Sequence, residues 1–315
     1  MQAESAGPYL TARDASRIQT FCAIAKMKNA TISLSELLAL TSLDMNEVEL
    51  AEAWKRSKVL NEKYTITNYG LVNEKTGTDL EIQRERLERA ERASSNISWA
   101  AKFSDFLNDN YLRALAISGS TSYLSVSEND DLDLFYVAKK DTMWIGFTRA
   151  LLRARLFRLK ERNSPWICLS YVSDESFLDR EIANNRNPII ARDALSAKVV
   201  RGDSYFDELL QRNKWMAEFF PKMYEQRIKQ HYSDHTREFQ NYNRFVRAST
   251  KLVNVLLFYC VGTYIRLKSG LLNRKLIKMG NDSAVFKLRI GKDHCIYESK
   301  LYKDMKGIYS ELNQN

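Results

Sequence analysis

Two short apolar runs constrain this chain more than any other feature. Ala114-Leu-Ala-Ile-Ser-Gly-Ser120 reads as an apolar strand that runs into a glycine–serine turn. Eleven residues after Ser120 comes a second apolar run, Asp131-Leu-Asp-Leu-Phe-Tyr-Val137, with two acids at its start. Side chains two apart on a strand share a face, so Asp131 and Asp133 project together with aliphatic residues around them. Two neighbouring carboxylates repel, and burying them unpaired is costly. A hard divalent cation resolves the conflict: Mg2+ prefers carboxylate oxygens and keeps water or phosphate in its other positions, and Mn2+ suits the same ligands. Gly119 lets backbone approach a phosphate closely, and Ser120 adds a hydroxyl and an N–H donor.

Around this pair the chain is poor in turn residues, with 11 Gly and 4 Pro in 315 residues, which predicts a helix-rich protein. That length predicts two or three domains. Cys22, Cys168, Cys260 and Cys295 are scattered singly, which excludes a zinc ribbon or a dithiol motif and fits reduced thiols. Met1–Thr11 has no basic stretch followed by an apolar run, so a cytoplasmic protein is expected. The most apolar stretch, Leu252–Ile265, is 14 residues long. At about 1.5 Å per residue it reaches roughly 21 Å, short of a hydrocarbon core of about 30 Å. A buried helix is expected there rather than a membrane span, with a membrane-surface helix the lesser alternative because Arg247, Lys251, Arg266 and Lys268 flank the stretch.

Three parts are expected, in an α+β chain. Within residues 1–78, helices from Asp14 to about Met27, from Ser33 to Thr41 and from Asp44 to Lys58 precede short strand candidates at Val59-Leu60, Tyr64–Ile66 and Leu71-Val72. This order resembles a winged helix. Its third helix carries Asp44, Glu47, Glu49 and Glu52, and residues 1–78 hold 9 basic and 9 acidic residues, so a packing or protein-partner module is favoured over a DNA reader. Residues 79–203 open with a capping box at Thr78 and a charged connector helix, about Asp79–Asn108, before the two apolar strands, the second of which bears the acids. Residues 204–315 read as a helical, aromatic-rich region with 21 of the 48 basic residues from position 201 onward, against 12 acidic. A basic surface attracts phosphates or anionic lipid.

Gly119-Ser120, a short helical insert and Asp131-x-Asp133 on the next strand resemble the nucleotidyltransferase fold of the DNA polymerase beta superfamily. A closer likeness is to a winged-helix-fused group of prokaryotic nucleotidyltransferase-domain proteins, carried by Met143-Trp144, Arg149, Leu151–Leu159 and Ile167–Glu175. The likeness covers about residues 14–220. It implies that Gly119 and Ser120 hold a nucleoside triphosphate, ATP first among them, and that Asp131 and Asp133 bind Mg2+ and are catalytic. Arg149 is then a phosphate-binding candidate. The implied reaction moves a nucleoside monophosphate to an acceptor hydroxyl.

Two departures bear on turnover. Superfamily members often have a third carboxylate on a later strand. Here Ile167-Cys-Leu-Ser-Tyr-Val172 has none, leaving Asp174 as the candidate. The loop between Ser120 and Asp131 also offers Leu124 and Ser125 where an extra glycine is expected. A nucleotide- or nucleic-acid-binding protein that kept the fold without turnover is the alternative; a DNA-binding regulator is a third class. For the acceptor, a small molecule or protein hydroxyl is favoured slightly over RNA, because the basic residues after Ser204 are spread and not gathered. His231 and His235, four apart on a helix, are read as a solvated pair, since Tyr-Ser-Asp replaces the Glu that a zinc-protease motif needs. Arg153, Arg155 and Arg158 read as surface charge, and Lys139-Lys140 as a solvated turn.

Overall fold

A computed structural model describes residues 9–28, 30–41, 43–74, 77–128, 130–229 and 244–311. His231 and His235 lie outside them.

The first elements form a small helical unit closed by a three-stranded sheet. They are α1 (Ala12–Met27), β1 (Ile32–Ser33), α2 (Leu34–Leu40), α3 (Glu47–Arg56), α4 (Lys58–Lys63), β2 (Tyr64–Ile66) and β3 (Leu71–Glu74), with antiparallel order β1-β3-β2. Local chemistry sets most boundaries. Ser33 and Glu36 close a capping box on α2, and Asn46 and Glu49 close one on α3. At α1 the cap is Thr11, and Asp14, expected to cap the helix, is its reciprocal partner three residues on. Val59-Leu60, expected as strand, lies inside α4, because the Ser57 side chain accepts the Leu60 N–H and starts a new helical turn.

The long α5 (Asp79–Leu107) follows, opened by the Thr78–Glu81 capping box and ended by Asn108 at φ +38°. Next come β4 (Leu112–Ile117), the one-turn α6 (Gly119–Ser122), β5 (Leu132–Ala138), α7 (Met143–Lys160), β6 (Ile167–Asp174), α8 (Glu175–Asn184), α9 (Pro188–Ser196) and β7 (Lys198–Arg201). Then α10 (Asp203–Arg212), α11 (Met216–Phe219), α12 (Pro221–Lys229) and α13 (Arg244–Lys278) lead to a hairpin, β8 (Phe286–Ile290) and β9 (His294–Ser299), and to α14 (Lys300–Glu311). The C-terminal third is thus largely helical, and its hairpin was not anticipated from the sequence.

The six-stranded sheet has the order β7-β4-β5-β6-β9-β8, and only the β5–β6 pair is parallel. A parallel pair needs a crossover, which α7 supplies. Alternation along β5 splits its side chains. Leu132, Leu134 and Tyr136 join a core with Phe103 of α5, Trp144 and Phe147 of α7 and Phe258 of α13. Phe135 and Val137 face a second core, which runs unbroken through α8, α9, α10 and α14 into α1 and α2. Each fully buried aromatic or aliphatic side chain stabilises by about 1.5–3 kcal/mol. The small N-terminal unit and the sheet therefore share one core.

Candidate functional site

Asp133 lies on the second-core face of the sheet, beside the glycine–serine turn. The Ser118 N–H donates to the Asp133 carbonyl at 3.0 Å, so the turn leaves the sheet while still joined to β5. Gly119 then adopts φ +63°. A Cβ placed on it would sit 2.5 Å from Asp133 Oδ2. Glycine is required there twice: by the left-handed backbone, which costs other residues about 1–2 kcal/mol, and by the carboxylate against it. The α6 turn is closed by Ser122 Oγ donating to the Gly119 carbonyl at 2.8 Å. Ser118 makes no side-chain cap to this turn, and the Ser120 side chain is partly exposed.

A bulge in β6 shapes the other side of Asp133. From the pair Asp133–Cys168 to the pair Phe135–Tyr171, β5 advances two residues and β6 three. The extra residue turns Ser170 and Tyr171 toward one face. Tyr171 stacks on Phe135 at 4.3 Å, and the Cys168 and Ser170 side chains hydrogen-bond to the Asp133 carboxylate. Burial, above all, pushes the Asp133 carboxyl up to about 6; Asp131 and Asp130 add repulsion, and the Cys168 and Ser170 hydrogen bonds oppose it. Asp131, at the exposed start of the strand, is raised by burial and by Asp130. The Cys168 thiol is pushed far up by burial and by Asp133 and Asp131, so it stays protonated and donates.

Two carboxylates held on one face against their own repulsion are a donor set that a hard cation relieves. Among the described residues, no group of three or more His, Cys, Asp or Glu gathers to hold a metal ion. A cation on Asp131 and Asp133 therefore fits only with water or phosphate oxygens completing its shell.

The loop between the turn and Asp131 is held by α5. The buried Arg89 is fixed by Glu85 at 2.6 Å and donates to Ser127 Oγ at 3.2 Å. Arg92 reaches the Val126 carbonyl at 3.5 Å, and Asn96 donates to Thr121 Oγ1 at 3.2 Å. Alternating charge made this helix read as a solvated connector. The overlooked signal was its inward stripe, Ile82, Arg89, Ala93, Asn96 and Ala100, at three- and four-residue intervals with one seven-residue step. Leu124 stands at φ +53°, in the left-handed conformation that an extra glycine would have favoured.

The structure brings Gly119, Ser120, Asp131 and Asp133 together, and does not bring Asp174 or Arg149 to them. Asp174 pairs in register with Ala138, five residues along β5 from Asp133, or roughly 17 Å at about 3.3 Å per residue. Its Oδ1 accepts the Phe177 N–H at 2.8 Å as the cap of α8, and its Oδ2 accepts the Asp141 N–H at 3.3 Å. It is a turn and cap residue. Beside Asp133, where a third acid would stand, are Cys168 and Ser170. Arg149 lies on α7, over the opposite face of the sheet, 3.5 Å from Asp109 and over the Tyr111 ring. Arg153 and Arg158 cover the rings of Phe106 and Trp166. Lys140 is exposed near Asp174, with its N–H on Glu175.

Positive charge near the turn comes from residues the sequence did not single out. Lys28 and Arg192 each lie 4.3 Å from the centre of the Tyr123 ring, directly after α6. Tyr123 donates to Asp193 at 2.7 Å, and Arg192 donates to Tyr309 at 2.7 Å. Burial, then Arg192, pushes the Lys28 ammonium down to about 8. Elements far apart in sequence meet here, so no local spacing marks the cluster. The chain matches no family model, no curated protein and no solved structure, so its own geometry carries the functional reading.

Proposed function

We propose that this chain is a Mg2+-dependent nucleotidyltransferase with a fold like that of the DNA polymerase beta superfamily, fused to a winged-helix-like N-terminal module. The observation that carries the reading is the approach of Gly119 to Asp133: a backbone-only turn is pressed against a carboxylate that shares its face with Asp131. In support, β4 and β5 are antiparallel, β5 and β6 are parallel through a helical crossover, and α1 to β3 run helix–strand–helix–helix–helix–strand–strand, the order of a winged helix with the short α4 added before its hairpin.

Asp131 and Asp133 would hold the cation, and Gly119 and Ser120 would seat the triphosphate beside them. A bound Mg2+ supplies charge neutralisation on the phosphates and favours the deprotonated acceptor hydroxyl. Gly119 gives phosphate oxygens access to the backbone, and the Ser120 hydroxyl is free to turn toward them. Cys168 and Ser170 hold the Asp133 carboxylate in place. ATP is the first nucleotide to test, with a small molecule or protein hydroxyl as acceptor.

One observation favours a second reading. With Cys168 and Ser170 in place of a third acid, no carboxylate of β6 stands ready to take the acceptor's proton, as in a protein that binds nucleotide without transferring it. Incubation with each α-labelled triphosphate, Mg2+ and cell extract separated into metabolites, protein and RNA decides between them. Label in one fraction establishes transfer. Nucleotide binding without label supports the binder. Unchanged triphosphate affinity in the Asp131→Asn, Asp133→Asn double variant removes both.

A further inference from the structure

The helix α13 is apolar on its outside. Its inward stripe is Asn254, Phe258, Gly262, Ile265 and Ser269, with Leu257 and Val261 packed beside it on the core. Its outward residues include Leu256 (55% exposed), Tyr259, Tyr264, Leu267 (66% exposed), Leu271 and Leu272. A surface helix normally turns polar residues outward, whereas this one is apolar on both sides. The neighbouring α7, packed against α13, also exposes Leu152, Leu156 and Leu159. Residues 244–278 hold eight basic and no acidic residues.

We propose that α13, with the outward leucines of α7, docks this protein peripherally on an anionic membrane surface. The apolar side chains enter the acyl boundary, and the Lys and Arg among them, such as Lys268 and Lys275, meet anionic headgroups. Charge complementarity selects this occupant. A second copy packed on the same face would set basic residues against basic residues with no acid in either helix. An RNA would find Tyr259 and Tyr264 to stack on, but Leu256, Leu267, Leu271 and Leu272 around them offer nothing to its sugars and phosphates. The helix does not cross the bilayer, although Ser249–Lys278 is long and apolar enough. β6 precedes it and β9 follows it, and these strands pair in one sheet, so both ends belong to the same folded body. Asn254 also ties it inward, accepting the Trp144 N–H at 2.7 Å.

Flotation of the full chain with phosphatidylcholine vesicles, with and without phosphatidylserine, tests this. The expected result is salt-sensitive flotation only with the anionic vesicles, released by alkaline carbonate. Leu256→Glu with Leu267→Glu should abolish it. Lys268→Ala with Lys275→Ala should weaken it roughly 25-fold, about fivefold for each charge. All four positions are exposed, and unchanged circular dichroism and melting temperature confirm that each variant folds. No flotation, or equal flotation with neutral vesicles, overturns the proposal, as does resistance to carbonate. So does lipid-free self-association or RNA binding that the leucine variant removes.

Discussion

At Gly119 two independent constraints fall on one residue, a left-handed backbone and a carboxylate at contact distance. Gly119→Ala must therefore strain the turn by about 1–2 kcal/mol and displace Asp133 as well. We expect a lower melting temperature and loss of measurable triphosphate binding by calorimetry. Ser120→Ala removes one hydroxyl, worth about 0.5–1.5 kcal/mol, so affinity should fall no more than about tenfold with the melting temperature unchanged. Small and equal effects at both positions would make the pair an ordinary strand end. The identities of these residues were legible in the sequence because glycine, serine and paired acids have few other reasons to interrupt apolar strands. The partners of Asp133 were not legible. Cys168 and Ser170 reach it through a bulge, and a one-residue change of register is invisible in a pattern of period two.

At the scale of elements, two helix starts distinguish local from tertiary control. Asp174 caps α8 from the adjacent position in sequence, so the cap is readable as chemistry, whereas its distance from Asp133 along the sheet was not. Asp174→Ala should lower stability by about 1 kcal/mol in denaturant titrations, Asp174→Ser should restore most of it, and neither should alter triphosphate affinity. A loss of turnover with unchanged stability would return Asp174 to the site. The start of α7 is different. Thr142 makes no side-chain cap, and the N–H groups of Trp144 and Ile145 donate instead to Asn254 Oδ1, at 2.7 and 3.4 Å, from a helix 110 residues away. Asn254→Leu should cost about 1–3 kcal/mol by leaving buried donors unpaired. Asn254→Asp should be tolerated, since it keeps the acceptor and places negative charge at a helix N-terminus. Thermal unfolding of the two variants checks this, and equal melting temperatures would rule out the tertiary cap.

Over the whole molecule, the β8–β9 hairpin decides how the chain closes. It covers the edge of β6, and Cys295 and Ile296 of β9 are buried there. Removing residues 279–315 would open a strand edge and uncover Val172, so the truncated chain should associate or precipitate where the full chain stays dispersed. Light scattering of both at equal concentration is the measurement, and a dispersed, folded truncation would show that the sheet closes without the hairpin. The sequence by itself determined the capping-box starts of α2 and α5, the α+β character, the two apolar strands with the acid pair on the second, and the glycine turn, because caps, alternation and left-handed glycine act within a few residues. It also determined that β6 offers no acid beside Asp133. Only the tertiary structure decided that Arg149 and Asp174 stand away from the pair, that α5 grips its loop, and that Lys28 and Arg192 gather at Tyr123. Those outcomes depend on which sheet face and which strand end each element packs against, and that follows from burial summed over the whole chain.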